Sequence, residues 1–222
     1  MSVTIPFPDR GYAGRALAER LAQEGSWNGA LVLALPRGGV PVGYEVAEHL
    51  GLELDILVVR KLGTPGNPEL AMGAIASGGV RVMNEDILRY TDVSRAEIDG
   101  TVAQETHELQ RREQAYRGGR RWPEVKGRAV LLVDDGLATG ATMRAAVQAV
   151  RKLGADSITV AVPVAAPESV AQLEKLADRV VCLYLPHDLY AIGRWYVNFG
   201  QTTDQQVVEL LQRAWSRGWQ PA

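Results

Sequence analysis

Residues 130–142 read VLLVDDGLATGAT. Four apolar residues, Val130 to Val133, run into two adjacent carboxylates, Asp134 and Asp135. A short loop carrying Gly136, Thr139, Gly140 and Thr142 follows, and a helical pattern starts at once. In open α/β sheets, ligands bind beyond the carboxyl ends of the strands. Glycines let the backbone approach a ligand closely, and amides at a helix start, with the dipole behind them, favour an anion. Thr139 and Thr142 add hydroxyl donors. The loop is therefore expected to hold a phosphate. The carboxylates would repel that phosphate and are expected to face vicinal sugar hydroxyls or a divalent metal.

The letters exclude two other phosphate loops. A nucleotide-triphosphate loop needs G-x-x-x-x-G-K-[ST], whereas Ala141 follows Gly140 here. A dinucleotide fingerprint needs three glycines at G-x-G-x-x-G, and only Gly136 and Gly140 are present. A polar strand-to-helix turn would explain one acid, but not two acids followed by G-x-x-T-G-x-T.

Outward from this stretch, Ala30 to Leu35, Leu54 to Val59, Ala129 to Val133, Ile158 to Val162 and Val180 to Leu185 read as strands covered on both faces. Pro41 to Leu50, Thr142 to Leu153 and Pro167 to Ala177 read as the helices between them, the first two closed by Gly51 and Gly154. Strand alternating with helix predicts an α/β fold, a mostly parallel sheet flanked by helices. The helical stretch from Arg95 to Tyr116 opens with the capping box Ser94–Glu97 and carries a thin apolar stripe, Ile98, Val102, Leu109 and Tyr116. It suits a solvated helix at the domain edge, with a homodimer seam as the alternative. One domain over residues 1–222 is expected, with a helical insertion at 84–122 and a small C-terminal hood and helix at 184–222.

The chain has 222 residues and a formal net charge of −2, which argues against broad nucleic-acid binding. The single cysteine, Cys182, excludes an internal disulfide framework and a cysteine-cluster metal site. No apolar run is long enough to span a bilayer, and the N-terminus lacks a signal-peptide pattern; a cytoplasmic protein is expected.

VLLVDDGLATGAT resembles the ribose-phosphate signature of the type I phosphoribosyltransferases, which bind 5-phosphoribosyl-1-pyrophosphate (PRPP) with Mg²⁺. The resemblance implies that Asp134 and Asp135 hold the ribose hydroxyls and meet Mg²⁺, directly or through water. It implies that Gly136, Leu137, Ala138, Thr139, Gly140, Ala141 and Thr142 bind the 5-phosphate. Ala138 stands where 6-oxopurine enzymes carry an aspartate, which leaves the acceptor open. Leu35-Pro36-Arg37-Gly38-Gly39 is similar to the family's pyrophosphate loop, in which the peptide entering the first glycine is often cis. Arg60-Lys61-Leu62-Gly63-Thr64-Pro65 resembles the R-K-x-G-x-P segment whose basic residues meet pyrophosphate. Arg37, Lys61, Asp134 and Asp135 are the implied catalytic set. Thr64 to Pro68 has neither helix nor strand pattern and is expected to be a mobile lid.

Five of the fourteen aromatics lie between Tyr184 and Phe199, near the end of the last expected strand. A planar acceptor could stack there. Tyr190-Ala191-Ile192-Gly193 resembles the hood of purine-salvage members, making Tyr190, Ile192 and Trp195 the acceptor candidates. Val197 and the Val164-Ala165-Ala166 loop depart from that pattern and disfavour 6-oxopurines. The implied activity is Mg²⁺-dependent phosphoribosyl transfer from PRPP to a nitrogen acceptor such as a nucleobase. The alternative is a non-catalytic PRPP or nucleotide sensor on the same fold.

Overall fold

The computed structural model describes residues 3–216, so residues 1–2 and 217–222 of the expected domain lie outside it. Helix α1 (Arg10–Ala22) comes first, and Asp9 caps it by accepting a hydrogen bond from the Tyr12 amide. Five strands form the main sheet: β1 (Leu31–Ala34), β2 (Glu53–Ile56), β6 (Ala129–Val133), β7 (Ser157–Val164) and β8 (Arg179–Tyr184). Their order is β2-β1-β6-β7-β8, and every pair is parallel. Both faces are covered, which is why the strands read as unbroken apolar runs. Side chains alternate across the sheet, so Leu31 and Leu33 enter one core and Val32 and Ala34 the other.

Helix α2 (Gly39–Leu50) follows β1 and packs on one face, through Val40, Val42, Tyr44, Val46 and Ala47. Helix α5 (Ala141–Lys152) follows β6 and packs on the other, through Met143, Ala146, Val147, Ala149 and Val150. β1 and β6 are neighbours, so the chain leaves their carboxyl ends in opposite directions and opens a crevice between the two loops. Such a switch point is where open α/β sheets bind ligands. Helix α6 (Pro167–Leu173) joins α5's face, and α7 (Asp204–Ser216) packs beside α2 with Val207 and Leu211 fully buried. No helix among the described residues is long and apolar enough to cross a membrane.

The expected strand Leu54 to Val59 is in fact two. β2 ends at Ile56, the chain turns through the buried Leu57 and Val58, and Val59 opens a second sheet. That sheet is antiparallel, β3 (Val59–Thr64), β4 (Asn67–Ala76) and β5 (Val80–Met83) in the order β3-β4-β5. Thr64 to Pro68 is therefore the tip of a hairpin and not an irregular loop. The register shifts around Gly63 accommodate Pro68, which a regular ladder would exclude. Gly66 turns the tip with φ +78°. Helices α3 (Glu85–Tyr90) and α4 (Arg95–Arg117) follow, inside the span expected to be helical. α4 has the predicted capping box and leans on the fold through Leu109, Tyr116 and Arg117. Its last residue is buried because Arg117 Nε meets Asp55 Oδ1 at 2.7 Å and its Nη2 donates to the Ile56 carbonyl at 2.7 Å.

Candidate active site

The loop expected to hold a phosphate leaves β6 at Asp134 and reaches α5 through Gly140, whose φ of +66° suits glycine. Leu137, buried, ties the loop to the end of β7: its amide donates to the Val164 carbonyl and its carbonyl accepts from the Ala166 amide, both at 2.9 Å. Ser169 Oγ holds the Ala138 carbonyl at 2.5 Å. Ala138, Thr139 and Thr142 are exposed. The amides of Ala138, Thr139 and Gly140 find no acceptor among the described residues. Amides without a partner at a helix start are the groups an anion binds.

The pyrophosphate-type loop after β1 lies directly against the carboxylates. A Cβ at Gly38 would run into Asp135 Oδ2, and one at Gly39 would stand 2.7 Å from the Val133 carbonyl oxygen and 2.9 Å from Asp134 Cα. Only glycine lets the two loops meet this closely. The non-proline cis peptide joins Pro36 to Arg37, one residue earlier than the resemblance implies.

Burial drives the Asp134 carboxyl well above the usual carboxylate range, and the neighbouring Asp135 adds to the effect. Burial also raises Asp135, while Arg10 pulls it down. Arg10 Nε donates to Asp135 Oδ2 at 2.8 Å, and Tyr196 donates its hydroxyl to the Asp135 carbonyl at 2.6 Å. Neither residue was singled out from the sequence. The sequence signal nearest to them was the aromatic cluster near the C-terminus, to which Tyr196 belongs.

The expected cations are placed unequally. Arg37 is partly exposed, 3.5 Å from Asp204, and lines a cavity of about 430 Å³ with Arg111, Arg112 and Tyr116. Arg111 and Arg112 come from α4 and both bind Glu108. The Tyr116 phenol is pushed up to about 12, by burial first and then by its hydrogen bond to Asp204. Arg60 is committed elsewhere, to Glu105 of α4 at 2.6 Å. Lys61 sits inside β3 rather than at a loop base; it meets the exposed Glu69 at 3.3 Å and lines a cavity of about 420 Å³ with Thr142 and Arg144.

The acceptor candidates separate as well. Tyr190 is 78% exposed, with Arg194 over its ring at 5.7 Å. Ile192 packs against Gly136, where a Cβ would come within 2.8 Å of Ile192 Cγ2. Trp195 leans on Tyr184 with ring centroids 5.0 Å apart, and its buried Nε1 lacks an acceptor among the described residues. Cys182 is a packed thiol, pushed up to about 11 by burial. The described residues hold no group of three or more His, Cys, Asp or Glu side chains able to cage a metal.

The phosphoribosyl transferase domain family matches residues 8–193, which include both glycine loops. The chain belongs to the phosphoribosyltransferase family. A phosphoribosyl transferase, provisionally so named, from Mycobacterium tuberculosis is 51% identical over 208 residues, covering 94% of this chain and 47% of its own. The chain thus spans about half the length of the curated relatives it matches. A uracil phosphoribosyltransferase of Streptomyces avermitilis is 46% identical over 52 residues only, 23% of this chain and 25% of that one. Among solved structures, the protein TT1426 of Thermus thermophilus is 45% identical with a TM-score of 0.84, covering 93% of this chain and 98% of that one.

Proposed function

We propose that this phosphoribosyltransferase-family chain binds PRPP and transfers its phosphoribosyl group to a ring nitrogen of a planar, nucleobase-like acceptor, releasing pyrophosphate. The observation that carries the reading is the junction of the two loops, where Gly38 and Gly39 rest on Asp135 and Asp134 without room for a Cβ. That contact sets an amide cradle, a carboxylate pair and a loop bearing Arg37 side by side. A sugar with a phosphate at one end, hydroxyls in the middle and a diphosphate at the anomeric carbon presents the matching chemistries in the same order.

In the transfer, the acceptor nitrogen bonds to the anomeric carbon while the carbon–oxygen bond to pyrophosphate breaks, its electron pair leaving with the diphosphate. Positive charge grows on the ribose and negative charge on the leaving group. Asp134 and Asp135 hold the ribose hydroxyls and oppose the first charge; Arg37 meets the second. Lys61, which lines a separate cavity with Thr142, joins Arg37 only by leaving Glu69 and swinging over the phosphate loop. Arg111 and Arg112 share Arg37's cavity and extend that cationic wall. Mg²⁺, when bound, would neutralise diphosphate oxygens and favour their departure. The residues suit an ion shared with the substrate and reached by Asp134 through water, since no cage of protein ligands is at hand among the described residues. The Ile192 wall over Gly136 and the tilted pair of Trp195 and Tyr184 beside it suit a planar acceptor at the hood.

Titration calorimetry tests the first half: PRPP should bind in the presence of Mg²⁺, and Asp134→Asn/Asp135→Asn should bind it far more weakly. Equal binding by the double variant would remove the carboxylates from the site. Pyrophosphate release from PRPP with a panel of nitrogen heterocycles tests the second half. Binding without release from any acceptor would assign the chain to the sensor class instead.

A further inference from the structure

We propose that Arg10 is a positioning residue of the ribose site, which occupies one oxygen of Asp135, aims the other at the sugar, and thereby reserves this carboxylate for hydroxyls rather than a metal ion. The inference rests on the reading of Asp134 and Asp135 as the ribose carboxylates.

Arg10 is the first residue of α1, 125 residues from Asp135 in sequence, and it shares a cavity with Pro41 of α2 and Gly200. Its Nε donates to Asp135 Oδ2 at 2.8 Å, and its Nη1 donates to the Gly200 carbonyl at 2.7 Å. The guanidinium plane lies over the Phe199 ring at 3.9 Å. Both members of the ion pair keep only 12% of their side-chain surface exposed. The arginine is therefore fixed by three partners of different kinds, a carboxylate, a carbonyl and a ring face, as a fork-shaped donor can be and an ammonium cannot.

The surrounding backbone holds the clasp in place. The Phe7 amide donates to the Trp195 carbonyl, and the amides of Val197 and Asn198 donate to the carbonyls of Phe7 and Pro8. Residues 7–10 and 195–200 thus form one strap. The strap grips Asp135 twice, by Arg10 on its carboxylate and by the Tyr196 hydroxyl on its carbonyl. On the other side, Gly38 leaves no space beside Oδ2. Oδ2 is thus crowded from both sides, and the direction of the whole Asp135 carboxylate is set by what holds that oxygen. At Asp134 the arrangement differs, because Oδ1 accepts from the Asp135 amide at 2.8 Å and no cation is paired with the carboxylate among the described residues. A divalent ion placed on Asp135 would face the guanidinium at close range, whereas a sugar hydroxyl would not be repelled.

The test uses two probes on the full chain, ribose 5-phosphate alone and Mn²⁺ alone, each by calorimetry. Arg10→Gln should weaken ribose 5-phosphate by about tenfold, the usual cost of removing one partner of a charged hydrogen bond. The same substitution should tighten Mn²⁺ severalfold, since the carboxylates lose their resident cation. Arg10→Lys should leave Mn²⁺ binding near the wild-type value and restore only part of the sugar-phosphate affinity, because an ammonium cannot span Asp135 and Gly200 together. Added to Asp135→Asn, Arg10→Gln should cost no further sugar-phosphate affinity. A merely structural arginine would weaken both probes together, or its loss would add to that of Asp135→Asn. Either result, or unchanged Mn²⁺ binding in Arg10→Gln, overturns the inference while leaving the PRPP reading intact. A wild-type chain that binds neither ribose 5-phosphate nor PRPP would remove both.

Discussion

Replacing Gly39 by alanine tests the contact on which the proposed site depends. Gly39 opens α2, and its backbone lies against the end of β6. The added Cβ would stand 2.7 Å from the Val133 carbonyl oxygen, 2.9 Å from Asp134 Cα and 3.1 Å from Asp134 Oδ1. Two of those atoms are backbone of a central strand and its first loop residue, so neither can swing aside as a side-chain tip would. Overpacking of this kind costs ~1–3 kcal/mol, here toward the upper end. The gain of alanine over glycine in a helix offsets ~0.5–1 kcal/mol of that. The net loss is about 2 kcal/mol, which for a chain of this size lowers the melting temperature by about 4–8 °C. Gly100 of α4 is the internal control, because a Cβ there meets nothing within 4 Å. Gly100→Ala should raise the melting temperature by about 1–4 °C through helix propensity alone. Scanning calorimetry of the two variants beside the wild type reads both signs, and calorimetric titration with ribose 5-phosphate reads the site. Gly39→Ala should lose sugar-phosphate affinity and Gly100→Ala should keep it. A Gly39→Ala protein that melts at the wild-type temperature would refute the reasoning, since the loops could not then be in the contact described.

Three other substitutions have defined outcomes. Arg117→Ala strands Asp55, which is 1% exposed, and should cost about 3–5 kcal/mol in denaturant unfolding, as breaking a buried pair does. Asp134→Asn should raise the melting temperature at pH 7 while weakening sugar-phosphate binding. The Asp134 carboxyl is raised in the folded state, so its ionised form opposes folding; the stability difference should shrink as the pH falls through that raised value and the wild-type carboxyl takes up its proton. Lys61→Ala should lower turnover far more than it weakens ribose 5-phosphate, which has no diphosphate for it to meet. Turnover within a factor of two of wild type, roughly 0.4 kcal/mol of barrier, would return Lys61 to the role of a surface charge paired with Glu69.

What the sequence carried is local in nature. The signature at 130–142, the glycines at 38 and 39 and the capping box at Ser94 each write their geometry within a few neighbouring residues, and each has a counterpart in the structure. The second sheet was hidden for two physical reasons. Leu57 and Val58 are buried at the turn, so the apolar run does not break where the chain passes from β2 to β3. Pro68 and Gly63 then look like loop residues because the bulge that accommodates them leaves no mark in the hydrophobic pattern. Arg10 was illegible for another reason. Its partner lies 125 residues away, and an arginine beside an aspartate at a helix start reads as a solvated charge. Helix α1 itself buries Ala13 and Gly14 where a stronger stripe would show leucine, because Gly14 lies 2.9 Å, at its Cβ position, from the Val42 carbonyl oxygen.

The long-range part of the site consists mainly of arginines, and their placement bears on how a common signature loop acquires a particular behaviour. α4 removes one expected cation, since Glu105 holds Arg60 at 2.6 Å. The same helix brings Arg111 and Arg112 to the cavity that Arg37 lines. On the diphosphate reading, the cationic charge lost on the β3 side is regained on the α2 side, beside the loop that rests on the carboxylates. Arg10 and Tyr196 of the 195–200 strap hold Oδ2 and the backbone carbonyl of Asp135. The strand-end loops supply the amides and carboxylates, while elements outside them supply much of the charge that surrounds those groups. A shift of α4 or of the strap would therefore alter the leaving-group side or the ribose side separately, with the signature itself unchanged. The Arg10 and Lys61 variants probe these two sides one at a time: the first should act on ribose 5-phosphate, and the second should act mainly on turnover, since Lys61 shares the Thr142 cavity but is held there by Glu69.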